Sequence, residues 1–196
     1  MLTDTRTNAI LDTEFAAGDK ASLHTAYSAS GANEIAGGSY ARQTITWAAA
    51  ASRSKASSGN IDVPVPAGNT VAFIGIWNSA GSTFRGMIAN GGSEMSIQLD
   101  VATNNRIYCE GSALANDNRV VFTGATVPGG LTVGTAYWVV GATAADPDYF
   151  QVAATQGGAA IDITAQHSAD CRVSKIVLEA YAADGTHRIT SLSQAL

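Results

Sequence analysis

Downstream of residue 17 no stretch of this sequence sustains a helical period; the chain breaks instead into runs of four to nine residues separated by clusters of Gly, Ser, Asn, Asp and Pro. Such dense punctuation leaves room only for short strands, and many short strands must close into layers to bury their apolar faces. The sequence therefore predicts a mainly β protein: an antiparallel β-sandwich or barrel, one short N-terminal helix and an inserted small β module. The helix is expected over 3–17, with Thr3 or Asp4 as its cap, Gly18 as its end, and Ile10, Leu11 and Phe15 on one face.

Strands are expected near 22–26, 41–49, 60–65, 71–77, 83–89 and 94–101, then 106–110, 119–123, 136–140, 149–153, 160–164, 171–182 and 187–193. Alternation places Gln43, Ile45 and Trp47 on one face and Ile61, Val63 and Val65 on another, two faces that should meet in a core. Phe73-Ile74-Gly75-Ile76-Trp77 is nearly continuous apolar, as a central strand covered on both sides would be, with Gly75 admitting a close neighbour. Pro64 and Pro66 cannot donate ladder hydrogen bonds, which assigns their strand to an edge or to a stop before the turn at Ala67-Gly68-Asn69. The Ala- and Ser-rich stretch 48–58, carrying Arg53 and Lys55, is either a mobile hairpin tip or a surface arm ordered by a neighbouring subunit.

Residues 104–170 have their own turns and strands and few basic side chains beyond Arg106 and Arg119, so they are expected to form an inserted surface module within a core domain of 1–103 plus 171–196. Cys109 and Cys171 stand near its two ends, as free buried thiols or as one disulfide if their strands are neighbours.

Charged residues make up 14% of the chain against roughly 25% in ordinary soluble domains. The net charge of -5, without any Lys/Arg run, counts against nucleic acid as a partner. No apolar run reaches the roughly 18 residues of a membrane span, and no secretory signal opens the chain, so no membrane partner is expected. No motif for catalysis emerges. His24 reads as a surface or partly satisfied strand residue, while His167 and His187 read as loop residues; there is no Gly-x-Ser-x-Gly elbow, calcium loop or phosphate-cradling glycine motif. The expectation is a protein without enzymatic activity, metal or cofactor. The one binding chemistry left open is sugar stacking on Trp77, Tyr137, Trp138 and Tyr149, with core packing as the competing role for each ring.

Two stretches carry family resemblances. Asn8-Ala9-Ile10-Leu11-Asp12, Ser22-Leu23-His24-Thr25-Ala26, the run 31–43 with Glu34 and Arg42, Ile45-Thr46-Trp47 and Val71 to Asn78 resemble small tailed-bacteriophage virion proteins of the tail, tail-fibre or head-decoration type. The second half, through Asn105-Arg106-Ile107-Tyr108, Asn118 to Phe122, Pro128 to Leu131, Gly134 to Val140, Phe150 to Ala153 and Gly157 to Ile163, resembles a shuffled phage surface module. The resemblance implies a structural role in a virion assembled in the host cytoplasm, with capsid or tail subunits as partners. The low charge favours symmetric assembly, so a homo-oligomer is expected; the alternative function is a carbohydrate-binding module at the virion surface that contacts a host glycan through the four rings. Glu34 and Arg42 are expected to form a structural ion pair or loop anchor.

Overall fold

A computed structural model describes residues 2–100 and 105–195. The helix α1 (Asp4–Glu14) comes first, followed by β1 (Lys20–His24), β2 (Gln43–Thr44), β3 (Ser54–Ala56), β4 (Ile61–Val65), β5 (Asn69–Val71), β6 (Phe73–Trp77) and β7 (Phe84–Ala89). Next are β8 (Met95–Ser96), β9 (Gln98–Asp100), β10 (Arg106–Tyr108), β11 (Arg119–Thr123), β12 (Ala136–Val140), β13 (Tyr149–Ala153) and β14 (Arg172–Ile176). The last are β15 (Glu179–Tyr181), β16 (Gly185–Ile189) and β17 (Ser193–Ala195). The protein is mainly β, with one helix among the described residues and every described strand pair antiparallel.

The chain forms two compact units, Met1–Met87 with Glu179–Leu196, and Ile88–Leu178. The boundary expected at 103/104 lies outside the described residues; the contacts place the first crossing at 87/88 and the return at 178/179. The reason is pairing: β8 bonds to β14 and β9 to β10, which draws the segment 95–100 into the second unit.

In the first unit, β2, β1, β6 and β7 form a sheet in that order. The last segment of the chain runs back along an earlier one, β15 on β5, β16 on β4 and β17 on β3. β4 has β16 as its one ladder partner among the described residues, in keeping with Pro64 and Pro66. Its Ile61, Val63 and Val65 are buried, as are Ile45, Leu23, Val71, Ile74, Ile76, Ile189 and Leu192, each contributing about 1.5–3 kcal/mol of burial. The central strand β6 buries Phe73 through Ile76. The helix starts at the Thr3 cap, whose hydroxyl accepts from the Arg6 N–H, and turns Thr7 and Leu11 inward. Ile10, expected beside Leu11, points outward and is 44% exposed. One step of a helix is about 100°, enough to carry a residue from the packed stripe to the open face.

In the second unit the strand order is β8-β14-β11-β12-β13-β10-β9. β8 and β9 are the two ends of one stretch, 95–100, separated by buried Ile97. Both edges of the sheet therefore belong to the same segment, which closes it into a six-sided barrel, with β8 pairing only the Arg172 and Val173 end of β14. Side chains fill the interior: Ile97, Ile107, Val120, Phe122, Tyr137, Val139, Phe150, Val152 and Val173 pack with Cys109 and Cys171. Both thiols are free, and burial pushes each up to about 11, so they behave as small apolar groups. The chain enters and leaves this unit at one clasp: Val177 N–H donates to the Asn90 carbonyl, and Asn90 Nδ2 donates to the Val177 carbonyl. A Cβ on Gly92 would lie 2.1 Å from the Lys175 carbonyl oxygen, so only glycine lets the two segments pass.

The expected strand at 160–164 does not form, because its backbone bonds scatter: Ile161 N–H to Val152, Thr164 N–H to Gly129, and Ile163 N–H to the Asn105 side chain. The run expected at 171–182 is two strands, β14 and β15, assigned to different units.

Candidate functional site

The four aromatic residues singled out from the sequence are divided between the two units. Trp77 ends β6 in the first unit, whereas Tyr137, Trp138 and Tyr149 belong to the barrel. Alternation along β12 turns Tyr137 into the barrel interior, edge-on to Phe122 at 6.3 Å, with its hydroxyl accepting from the Thr132 N–H at 2.8 Å. Trp138 and Tyr149 lie half-buried on the outside of adjacent strands. Register pairs Trp138 with Ala153, four residues from Tyr149, which separates the two rings by about 13 Å along the strand. Each is stacked with an arginine: Arg119 lies 5.3 Å from the Trp138 ring centroid and Arg106 lies 4.1 Å from that of Tyr149. Trp77 likewise carries Arg42 at 3.6 Å.

Arg42 anchors a larger network. Its Nε and Nη2 donate to the two Glu34 carboxylate oxygens at 2.8 and 2.7 Å, and its Nη1 donates to the Gly81 carbonyl at 2.7 Å. The Tyr40 hydroxyl donates to Glu34 Oε1 and accepts from the Leu23 N–H. Burial pushes the Glu34 carboxyl up, but the Arg42 and Tyr40 bonds outweigh it and hold the group below its usual range. The pair is the loop anchor expected of it, tying 34–42 to β1 and to the 78–83 turn.

Beneath that anchor lies a Ser–His contact. His24 Nδ1 meets the Ala32 carbonyl at 2.8 Å, an acceptor only, so the ring proton sits on Nδ1. Nε2 then accepts from the Ser22 hydroxyl at 2.7 Å, and Ser22 Oγ accepts from Trp77 Nε1 at 2.8 Å. The distance suits a nucleophile and its base, but both residues are fully buried and the second ring nitrogen faces a carbonyl rather than a carboxylate. This contact serves the fold. His24 is thus a buried, fully bonded strand residue, not a surface one, because β1 is covered on both faces. His187, expected in a loop, lies in β16 and is buried, 3.0 Å from Glu179. His167 is a loop residue.

Burial lowers the pKa of both His24 and His187, opposed at His24 by the Ala32 bond and at His187 by Glu179. Below the ordinary value of 6.5 the unfolded histidines bind protons that the folded ones still refuse, so unfolding takes up protons. Stability is complete above that value and falls as pH drops below it, by at most about 1.4 kcal/mol per pH unit for each histidine. The urea midpoint measured from pH 7.5 to 5.5 should decline, and the decline should shrink in His24→Gln; a midpoint flat or rising toward acid contradicts the assignment.

The feature that sequence reading passed over lies where α1 meets the 48–58 hairpin. The hairpin is neither free nor an arm awaiting a neighbour: Ala51 and Ser54 close it, with Ser52 and Arg53 at positive φ, and it is fastened to the helix. Ala50 N–H donates to Asp12 Oδ1, Arg53 N–H donates to Asn8 Oδ1, and Lys55 Nζ donates to Asp12 Oδ1 at 2.6 Å. Beside this fastening is an open recess of about 340 Å³ lined by Asp12, Ala16 to Gly18, Thr44 to Ala49 and Lys55. Asp12 and Lys55 are 43 residues apart and belong to a helix and a hairpin, so no local spacing announces them. No family model, curated protein or solved structure matches the chain.

Proposed function

We propose that this protein is a structural component of a tailed-bacteriophage virion, held on the capsid surface as a decoration protein or built into the tail or its fibres. The observation that carries the reading is a coincidence of boundaries. The stretches resembling phage virion proteins, 8–78, fall within one compact unit, and those resembling the shuffled surface module, 105–163, fall within the other. A module exchanged between particle proteins must bring its own core and close its own sheet, and the barrel does both. The surface chemistry suits a repeating lattice. A chain with few Lys and Glu side chains loses little side-chain entropy on docking against neighbours, and symmetric assemblies multiply weak contacts. Leu2, just ahead of α1, and Ile10 on it stay 46% and 44% exposed and offer an attachment face to a neighbouring subunit.

The test is mass spectrometry of gradient-purified particles made in cells expressing the chain. The protein should band with the particles in a fixed copy number set by capsid or tail symmetry, and Ile10→Glu should release it without changing its own melting temperature. Recovery wholly in the unbound fraction, with particles complete without it, would overturn the proposal.

A further inference from the structure

We propose that the recess between the C-terminal end of α1 and the 44–49 segment binds a neutral pyranose sugar through Trp47, Lys55 and Asp12. Its volume, about 340 Å³, is at the small end of the roughly 300–1,000 Å³ of small-molecule sites. Ala16, Ala17, Gly18, Ala48 and Ala49 line it with side chains too short to fill it.

The polar groups in the recess specify the ligand. The Lys55 side chain is only 7% exposed, yet its single hydrogen bond among the described residues is to Asp12 Oδ1, one of three that an ammonium can donate. Asp12 Oδ1 is saturated by Lys55 and the Ala50 N–H, while Oδ2 has no protein partner among the described residues. Strong donors and a strong acceptor therefore stand side by side with no net charge. A hydroxyl both accepts and donates, so a vicinal diol satisfies the pair, whereas an anion meets the carboxylate and a cation meets the ammonium. The Lys55 bond, followed by the Ala50 bond, holds the Asp12 carboxyl below its usual range, so the acceptor is ionised across the neutral range.

Trp47 supplies the apolar wall. Its indole is half-buried and fixed: Nε1 donates to the buried Asp19 Oδ2 at 3.3 Å, and Phe15 packs against it at 5.5 Å. A ring held at both ends loses little freedom when a sugar C–H face stacks on it. Thr44 and Thr46 also line the recess, the Thr44 hydroxyl accepting from Lys20 Nζ at 2.7 Å. None of these residues belongs to the four rings named from the sequence.

The experiment is a titration of the intact protein, followed by tryptophan fluorescence and by ligand-observed NMR, with neutral methyl hexopyranosides, the matching uronic acids, and neutral oligosaccharides immobilised at their reducing ends. Saturable binding of neutral hexosides is expected, with at least tenfold weaker binding of the uronic acids. Binding to the immobilised oligosaccharides identifies a glycan terminus as the source, and binding to the hexosides alone identifies a free sugar. Ala49→Leu fills the recess without touching the ion pair and should abolish binding with the melting temperature unchanged. Asp12→Asn should weaken binding at least tenfold, and Trp47→Ala should abolish it. No saturable binding by the unaltered protein, or binding that survives Ala49→Leu, overturns the proposal.

Discussion

Gly75→Ala should destabilise the first unit by about 3–5 kcal/mol, the sum of an overpacked strand and a broken buried hydrogen bond. A Cβ at this position would lie 2.5 Å from both His24 Nε2 and Ser22 Oγ, atoms on the paired strand that are fully buried and bonded to each other. β1 cannot retreat, since Ser22 is held opposite Gly75 by a five-residue ladder and Leu23 packs on the other side. The urea midpoint of the first unit reports the loss. Adding Ser22→Ala removes one of the two clashing atoms, so the double variant should be less impaired than the summed single variants. A Gly75→Ala protein as stable as the parent would mean that β1 and β6 are not packed in this register.

In the second unit the largest effect is expected from Phe122→Ala, at about 3–5 kcal/mol. The ring is fully buried in the barrel interior and meets the Tyr137 ring edge-on. With the sheet closed, neighbouring strands cannot collapse into the gap without shearing their hydrogen-bond register, so the cavity persists. Hydrogen exchange should show protection lost in β10 to β14, while Val133→Ala, at a 39% exposed position, should change stability by less than about 0.5 kcal/mol. Comparable losses from the two substitutions would mean that the barrel interior is not the load carried by Phe122.

Alternation made some of this architecture readable. β11, β12 and β13 fall at the expected residues, because Val120, Phe122, Tyr137, Val139, Phe150 and Val152 alternate with outward residues across three adjacent strands. The close neighbour expected at Gly75 is the His24–Ser22 pair. What alternation cannot express is partner choice. β1 buries four consecutive residues, Ala21 to His24, two of them polar and satisfied by groups distant in sequence, Ala32 and Trp77. β3 and β17 are three residues each and exist because they pair with one another across 137 or more positions. The same holds for barrel closure, which depends on Ile97 separating two pairings within one strand, and for the recess, where Asp12 and Lys55 meet only in three dimensions.

The chain divides into two compact units, the second clasped at Asn90 and Val177, and the barrel should fold without the first. The direct measurement is to express residues 88–178 alone and to compare the fragment's amide spectrum with that of the full protein. Dispersed resonances that overlay those of the barrel in the intact chain, with cooperative urea unfolding, are the expected result. A fragment that stays unfolded, or that folds with different strand protection, would contradict the account.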